Sequence, residues 1–301
     1  MPKKIEGLDL KACSNDKKSL VVEGLRSTFR LRDLLDIMGL PRSTFYSRMS
    51  RMPKDDLGLL DEIRRIFQRH RGRYGYRRVT LELKRNGFVV NHKRVQRMMV
   101  ADNLRSTVRP KKYRSYVGEV GVAAPNLLDR KFTAPCADSK WLTDVTEFKV
   151  GQDKLYLSPI LDVYNGEIVS YRIRRRPDLQ LVTGMLDEAL ANRRTDGLLL
   201  HSDQGWHYRH PDYRSRLRGQ GVTQSMSRRG NCLDNAQMES FFATLKSECF
   251  HGDTFKSVED LEKTIHEYID YYNNDRIQAK LKGLSPVEYR TQPFNKSALL
   301  N

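Results

Sequence analysis

Apolar residues recur at helical spacing near the start of the chain. One predicted helix turns four of them to a single face: Leu31, Leu34, Leu35 and Met38. The segment Gly39-Leu40-Pro41 should end this helix, and Ser43 should be the N-cap of the next one. The exposed positions of that second helix are polar or basic: Arg42, Ser43, Thr44 and Arg48. The pattern predicts a helix-turn-helix of the kind that reads DNA, with an ordinary helical hairpin as the alternative.

A second helical group follows Pro53. Its first predicted helix has an apolar face: Leu59, Leu60, Ile63, Ile66 and Phe67. The next helix is predicted from Tyr74 to Gly87 and carries Arg77 and Arg78. Asn91 should cap a third helix, whose inward residues are Val95, Met98 and Met99. The outward residues of this third helix are basic: His92, Lys93, Arg94 and Arg97. We therefore predict a second helix-turn-helix.

The period changes to that of an α/β domain after Ser139. Strands are predicted at 141–150, 154–163, 167–173, 198–203 and 222–227, with Asn165-Gly166 as a hairpin turn. Helices are predicted at 179–192, 211–218, 234–250 and 258–274. The order β-β-β-α-β-α-β-α predicts an RNase H-like α/β catalytic domain, a mixed five-stranded sheet with helices, preceded by all-α helix-turn-helix domains.

These patterns divide the chain into five predicted segments. They are an N-terminal helix-turn-helix at 1–52, a second at 53–104, a basic linker at 105–138, the RNase H-like domain at 139–250 and a C-terminal helical tail at 251–301. The first 16 residues show no periodicity and are predicted to be a loose leader. A chain of 301 residues has room for two or more domains.

The charge is distributed unevenly over these segments. Residues 1–116 hold 29 Lys and Arg against 12 Asp and Glu, which accounts for the whole net charge of +17, and residues 117–301 hold 25 of each. Such asymmetry indicates that the first part grips a polyanion such as nucleic acid. A basic surface kept for solubility is the alternative.

Composition excludes several other classes of protein. No apolar run approaches the length of a membrane span, and no apolar run follows the basic N-terminus as in a secretory signal. The four cysteines are far apart and form no zinc-binding pattern: Cys13, Cys136, Cys232 and Cys249. The cysteines are therefore expected to be free thiols in a reducing compartment.

Three carboxylates stand out by their positions in the predicted domain. Asp144 lies on its first strand, Asp203 at the end of a later apolar strand, and Glu239 on the long helix. A carboxylate on an apolar strand is costly unless a partner or a cation neutralises it. Mg²⁺ prefers oxygen ligands, and two such ions can assist phosphoryl transfer. The three residues are therefore candidate ligands of catalytic metal ions.

Several motifs around these carboxylates share a family pattern. They are Trp141-Leu142-Thr143-Asp144-Val145-Thr146, His201-Ser202-Asp203-Gln204-Gly205, the segment 225–236, Glu239-Ser240-Phe241-Phe242, the segments 271–276 and 283–286, and the upstream segments 74–78 and 91–95. Thirty-five residues separate Asp203 from Glu239, and Lys246 follows Glu239 by two helical turns. In these features the chain resembles the OrfB-type transposases of bacterial insertion sequences, the IS-three family, which are DDE enzymes related to retroviral integrases. The resemblance covers roughly residues 20–292.

The resemblance implies roles for individual residues. Asp144, Asp203 and Glu239 would be the catalytic triad and would bind two Mg²⁺ ions, with Mn²⁺ as a substitute. Lys246 would approach a DNA phosphate or the terminal base, and Asn235 would line the same pocket, with His201 as a further candidate. The activity would be cleavage and strand transfer at the inverted-repeat ends of the element.

The resemblance also implies partners and a location. The DNA partners would be the transposon ends and the target, and a dimer or larger homo-oligomer is expected on DNA. The family usually acts as a frameshift fusion with an upstream OrfA-type helix-turn-helix and leucine-zipper protein. A bacterial cytoplasmic, nucleoid-associated protein is expected.

Some positions keep a second interpretation. Asp162 is expected to cap the hairpin turn or to bond within the core rather than bind metal, and Asp234 is expected to N-cap the helix that carries Glu239. His201 fits a buried, hydrogen-bonded role as well as a pocket role. Trp206 and His207 depart from the family pattern and fit either base stacking or surface packing. Four arginines fit either a DNA contact or a solvated strand end: Arg172, Arg174, Arg175 and Arg176.

Two other functional classes remain open at this stage. One is a DNA-binding regulator derived from a transposase, which would use residues 17–116 alone; the intact acidic triad argues against it. The other is a different RNase H-like nuclease, against which the upstream helix-turn-helix patterns and the 35-residue spacing argue.

Gln278 stands where many relatives have His, so its role is open.

Overall fold

The computed structural model of the chain describes residues 14–51, 55–106, 124–228, 232–251 and 253–292. The predicted leader up to residue 13, the linker residues 107–123 and the end of the tail from residue 293 lie outside this description. The chain forms two compact units, Met1–Arg65 and Ile66–Asn301. Within the described residues, no helix is long and apolar enough to span a bilayer.

The first unit is helical. It contains α1 (Asn15–Leu25), α2 (Leu31–Met38), α3 (Arg42–Arg51) and the start of α4 (Asp55–Arg69). The predicted face of α2 forms its core together with α1 and α3: Val22, Leu34, Leu35, Met38, Leu40 and Phe45. Gly39 ends α2 in the left-handed conformation, as its sequence position predicted.

Three details of this unit differ from the prediction. Helix α3 begins at Arg42, so Ser43 lies inside its first turn and is not the N-cap. Arg48 is half-buried rather than exposed, because its guanidinium pairs with the Asp16 carboxylate of α1. Arg42 and Ser43 are exposed as predicted, whereas Thr44 is half-buried.

The second unit begins with helices that match the second predicted helix-turn-helix. They are α5 (Tyr76–Arg85) and α6 (His92–Ala101). Asn91 caps α6 by accepting a hydrogen bond from the Lys93 N–H (2.9 Å). Val95 and Met99 are buried as predicted, whereas Met98 is half-buried.

A mixed sheet forms the centre of the second unit. Its strands are β1 (Lys140–Thr143), β2 (Thr146–Val150), β3 (Asp153–Asp162), β4 (Ile168–Arg174), β5 (Leu199–Ser202) and β6 (Thr223–Met226). Strand β3 pairs antiparallel with β4 on one edge and with β1 and β2 on the other. Strand β5 pairs parallel with both β1 and β6. The described sheet therefore has six strands where five were predicted, because the first predicted strand is divided into β1 and β2.

Helices cover both faces of this sheet, as the RNase H-like prediction requires. They are α7 (Leu179–Asn192), α8 (Trp206–Arg209), α9 (Pro211–Gly219), α10 (Ala236–Cys249), α11 (Val258–Asn274) and α12 (Pro286–Thr291). Neighbouring residues of β1 point to opposite faces: Leu142 packs with α10 and α11, and Trp141 packs with α7 and α9. The four-residue α8 was not predicted, because one helical turn shows no periodicity.

The described end of the predicted linker is part of the second unit. Leu128 is buried in the core that also contains α10 and α11. The Leu127 and Leu128 N–H groups donate to Ser225 Oγ on β6 at 2.9 and 3.3 Å. The linker prediction is therefore wrong for residues 124–138, where an apolar anchor and backbone hydrogen bonds outweigh the weak periodicity of the segment.

Candidate active site

The break between β1 and β2 determines the position of Asp144. The two strands share one register on β3, since Thr143 pairs with Ile160 and Thr146 with Leu157. Asp144 therefore lies opposite Pro159, which has no N–H to donate. The Asp144 carboxylate accepts a hydrogen bond from the Val145 N–H (2.7 Å). This turns the carboxylate toward the end of β1 and fixes it there.

Asp203 lies level with Asp144 on the neighbouring strand. The parallel pairing of β1 with β5 matches Leu142 with His201. Asp144 and Asp203 each lie two residues further along the chain, just after the end of their strand. The Asp203 Oδ1 accepts the Gly205 N–H at 2.8 Å. Two carboxylates therefore leave the same end of neighbouring parallel strands, where ligands of open α/β sheets usually bind.

Glu239 approaches these aspartates from helix α10. Asn235 is the residue before α10, and its side-chain Nδ2 donates to the Thr143 carbonyl at 3.2 Å. This hydrogen bond connects the start of the helix to the end of β1. Glu239 follows one turn later and is half-buried. Its charge acts on Asp144, so the three predicted residues are brought into one electrostatic neighbourhood.

The surroundings oppose ionisation of the two aspartates. Burial raises the pKa of Asp144 well above its usual value, and the neighbouring Asp203 and Glu239 charges raise it further. Partial burial of the Asp203 carboxylate raises its pKa as well, although this carboxylate still reaches solvent. The hydrogen bond from the Gly205 N–H acts in the other direction and lowers the pKa of Asp203. A nearby cation would relieve this repulsion and favour the charged forms of both.

The donor set of the site fits a hard divalent cation. Every candidate ligand is a carboxylate oxygen, and Asn235 Oδ1 is buried nearby without a hydrogen-bond partner in the described residues. The described part of the chain contains no group of three His, Cys, Asp or Glu side chains already gathered as a closed metal-ligand cluster. The three carboxylates thus interact through their charges without forming a complete ligand shell.

Lys246 adds a positive charge to this neighbourhood. It lies two turns after Glu239 on α10, and its Nζ stands 5.1 Å from the centre of the Phe148 ring on β2. Its charge lowers the pKa of Asp144, which places it close to the carboxylates as its spacing predicted. Lys246 also has an interaction within the protein.

His201 is a structural residue and does not serve the site as a ligand. Its ring is fully buried, with Nδ1 2.8 Å from Ser225 Oγ and Nε2 3.0 Å from Ser227 Oγ. Burial lowers the pKa of His201 to about 4, so the ring is neutral at neutral pH. Of the two interpretations of this residue, the buried, hydrogen-bonded one is therefore correct, and the pocket role is not.

Asp234 does not cap the catalytic helix, contrary to the prediction. The residue before α10 is Asn235, and no side chain caps the helix N-terminus. The Asp234 carboxylate instead accepts hydrogen bonds from the Arg228 side chain and N–H, Arg130 Nε and Asn126 Nδ2. Hydrogen bonds from Arg228 hold the pKa of Asp234 well below its usual range. Asp234 therefore fixes the segment that leads into α10.

The predicted hairpin role of Asp162 is confirmed. Its buried carboxylate accepts the Tyr164 N–H in the turn (2.9 Å) and the Asp138 N–H (2.8 Å). Arg290 of α12 lies 3.5 Å from the same carboxylate. Asp162 is therefore committed to the core.

The predicted DNA-contacting residues of α5 and α6 fall into two groups. His92, Lys93 and Arg97 are exposed on α6, and Arg94 is half-buried. Arg78 of α5 is bound to the buried Glu248 carboxylate (3.3 Å), so it serves the interior of the unit as well as its surface. The guanidinium of Arg77 lies over the ring of Tyr76 and donates to its hydroxyl.

Sequence patterns missed two residues that support the site. The Tyr208 hydroxyl of α8 lies 3.4 Å from Thr143 Oγ1, in a buried position beside Asp144 and Asp203. Gly205 precedes α8, and a Cβ at this position would lie 2.9 Å from Asp203 Oδ1. Gly205 follows Asp203 by two residues in the motif, and a glycine so close to a carboxylate was a signal for a close backbone approach.

Known protein families match most of the chain. A model described as an integrase core domain matches residues 134–232, a second model of the same description matches 239–294, and a model of an HTH-like domain matches 54–112. The match at 54–112 coincides with the second predicted helix-turn-helix.

Individual relatives are insertion-sequence transposases. The putative transposase InsK for insertion sequence element IS150 of Escherichia coli is 49% identical over 277 residues, which cover 91% of this chain and 98% of that protein. The probable transposase for IS1353 of Shigella flexneri is 40% identical over 96% of this chain and 57% of its own length. The transposase InsF for IS3A of Escherichia coli is 30% identical over 91% of this chain and 99% of that protein.

Solved structures resemble the chain more distantly. The catalytic core domain of HTLV-2 integrase in complex with magnesium is 13% identical, with a TM-score of 0.40 over 52% of this chain and 98% of that one. The assignment rests on the sequence matches. With the integrase core and HTH-like matches and a 49% identical transposase of nearly equal length, the chain belongs to the IS-three family of DDE transposases.

Proposed function

We propose that this chain cleaves DNA at the inverted-repeat ends of an insertion sequence and joins the ends to target DNA by a DDE two-metal mechanism. The observation that carries the proposal is the level placement of Asp144 and Asp203 at the ends of neighbouring parallel strands, with the charge of Glu239 on α10 acting on Asp144. The family membership supports the reaction class, and the geometry supports this choice of residues.

The proposed metal ligands are Asp144, Asp203 and Glu239. Two Mg²⁺ ions, or Mn²⁺ as a substitute, would activate the attacking oxygen and stabilise the leaving oxygen of an in-line displacement at phosphorus. A DNA phosphate would complete the ligand shell that the three carboxylates leave open. Water would attack in the nicking step, and a 3′-hydroxyl in the strand-transfer step.

The remaining residues of the site orient these ligands. The Val145 N–H fixes the Asp144 carboxylate and the Gly205 N–H fixes that of Asp203. Asn235 sets the start of α10 against β1 and so fixes the height of Glu239 above the sheet. We assign Lys246 to a phosphate or terminal base of the bound DNA, because it adds positive charge beside the carboxylates.

DNA binding is assigned to the basic first part of the chain. On α3 the proposed contacts are Arg42, Ser43, Thr44 and Arg48, and on α5 and α6 they are Arg77, Arg78, His92, Lys93, Arg94 and Arg97. The exposed α6 side chains support this assignment most directly. Binding through phosphates would be electrostatic and salt-dependent.

Strand transfer needs two ends held together, so we propose a homodimer or larger assembly on DNA. An OrfA-type upstream partner, fused or associated, is consistent with the Shigella flexneri relative, which is considerably longer than this chain. We place the reaction in the bacterial cytoplasm, on nucleoid DNA.

Metal dependence tests the proposal. The full chain is incubated with a duplex that carries the element's inverted repeat, and nicking at the repeat end is measured with Mg²⁺, Mn²⁺, Ca²⁺ or chelator. We expect nicking with Mg²⁺ or Mn²⁺ and none with chelator. The exposed Asp196 provides a matched control, since Asp196→Asn should leave the rate unchanged. Nicking that persists in chelator would refute the two-metal proposal.

A further inference from the structure

One of the two tryptophans of the chain is displayed on the surface. Trp206 keeps 51% of its surface exposed, whereas Trp141 is fully buried in the sheet core. A large aromatic ring exposed to this extent forgoes the apolar burial that usually places tryptophan inside or in an interface. Trp206 is therefore a candidate for contact with a ligand.

The ring of Trp206 is held in place before any ligand arrives. It stacks on the ring of His207, with centroids 3.9 Å apart and planes 29° apart. His207 is itself buried, and its Nε2 donates to the Pro177 carbonyl at 2.7 Å. A supported ring with an exposed side loses little conformational entropy when a flat group stacks on it.

Trp206 lies at the rim of the carboxylate site. It is the first residue of α8 and follows Gly205, whose N–H holds the Asp203 carboxylate. Two residues later, the Tyr208 hydroxyl contacts Thr143 next to Asp144. The stacked rings of Trp206 and His207 form a platform. The segment that carries this platform is thus fixed at both ends to the strands that lead to the aspartates.

The charges around the platform suit a nucleic-acid strand. The Arg209 cation acts on Asp203, and Arg209 Nε is buried without a hydrogen-bond partner among the residues described. Arg176, which precedes the Pro177 that holds His207, is exposed. An aromatic ring with flanking cations is the arrangement with which proteins bind single-stranded nucleic acid.

We infer that Trp206 stacks on an unpaired base beside the scissile phosphate and so positions the DNA end for reaction. The inference rests on the proposed function, which supplies the DNA end. Trp206 would contact the base and not the reacting phosphate, so it is a positioning residue. Stacking accepts any base, because each has a π face, and a site without a base would lose the contact.

Intrinsic fluorescence tests the contact without any catalysis. The full chain is titrated in chelator with an end duplex that has one unpaired terminal nucleotide, and with the same duplex in which that nucleotide is abasic. We expect the first duplex to quench the tryptophan emission and the second to quench it much less. The change would report on Trp206, because Trp141 is buried. Equal quenching by both, or quenching on raising the protein concentration without DNA, would overturn the inference and indicate general binding or self-association.

Strand joining tests the consequence. Trp206→Ala should raise the KM for the unpaired-base end by about 5- to 150-fold, the range expected for one lost base–aromatic stack. Trp206→Phe should recover most of this loss, and Leu127→Ala, at an equally exposed apolar residue, should have no effect. An abasic end should impair the wild type and leave Trp206→Ala no worse than before.

The two proposals fail in different ways. If Trp206→Ala loses the same factor on both ends, or Trp206→Phe does not recover, the stacking inference is wrong although joining itself is intact. If the wild type joins neither end, the proposed function fails, and the fluorescence difference still decides whether Trp206 binds a base.

Discussion

Arg276 donates two buried hydrogen bonds to Glu248, from Nε to Oε2 at 2.8 Å and from Nη2 to Oε1 at 2.7 Å. Glu248 lies near the end of α10, the helix that carries Glu239, and Arg78 of α5 and the Tyr268 hydroxyl of α11 bind the same carboxylate. Burial alone would raise the pKa of Glu248, but the hydrogen bonds and charge of Arg276, with Arg78, lower it. One carboxylate thus joins the catalytic helix to α5 and α11.

Removal of the Glu248 charge should destabilise the fold. Glu248→Gln leaves Arg276, whose side chain is 5% exposed, without its counter-charge, and we expect a loss of about 3–5 kcal/mol in the free energy of unfolding. Chemical denaturation measures the change. The control is Glu147→Gln, at an exposed ion pair with Lys154, which should cost less than about 1 kcal/mol. Equal losses in the two variants would contradict the structural role of Glu248.

Local patterns of the sequence predicted most of the elements correctly. Helix α11 has the predicted bounds, Val258–Asn274, and the Asn91 cap and the Gly39 stop are confirmed. These features depend on spacing and on single-residue conformational preferences, which are properties of the local chain. The triad came from motifs whose order along the chain matched a known family.

The features that the sequence did not predict depend on partners distant in the chain. Asp234 has the position of a helix cap, but the arginines at 130 and 228 hold its carboxylate elsewhere. The break in the first strand places Asp144 opposite Pro159, and this register exists only once β3 has folded back. The pairing of Glu248 with Arg276 is likewise invisible without the fold.

The backbone next to Asp203 has no room for a side chain. A Cβ on Gly205 would stand 2.9 Å from Asp203 Oδ1, although the φ of −53° at Gly205 suits any residue. We therefore expect Gly205→Ala to displace the carboxylate and lower the rate of Mg²⁺-dependent cleavage by about 10- to 100-fold. Stability should change by less than about 1 kcal/mol. Gly219→Ala is the control, since nothing lies within 4 Å of its added Cβ; equal rates for both variants would exclude this role for Gly205.

Acid should weaken the segment that Asp234 fixes. Its pKa is held below the usual range by hydrogen bonds from Arg228, so it contributes stability at pH values above its unfolded pKa of about 4 and loses it as the pH falls further. We expect Asp234→Asn to cost about 1.5–3 kcal/mol at pH 7. Below about pH 4 the difference from the wild type should shrink. Unfolding curves measured across this range test the sign; a difference that grows in acid would contradict it.

The exposed basic residues of α6 should set part of the salt dependence of DNA binding. Lys93→Ala and Arg97→Ala are each expected to reduce the slope of log affinity against log salt by about 1, because each removes one phosphate contact. Fluorescence anisotropy with the repeat-end duplex at several salt concentrations measures the slope. Lys263→Ala, at an exposed position on α11, should leave it unchanged. An unaltered slope in both α6 variants would remove this helix from the proposed DNA interface.

The central claim concerns the three carboxylates, and nicking of the repeat-end duplex by their isosteric variants tests it most directly. Asp144→Asn, Asp203→Asn and Glu239→Gln each keep the shape of the side chain and remove its charge, so each variant should bind the duplex as tightly as the wild type does. We predict that none of the three nicks DNA in Mg²⁺, while Asp196→Asn nicks at the wild-type rate. Wild-type nicking by the three charge-removed variants would contradict the assignment of the site.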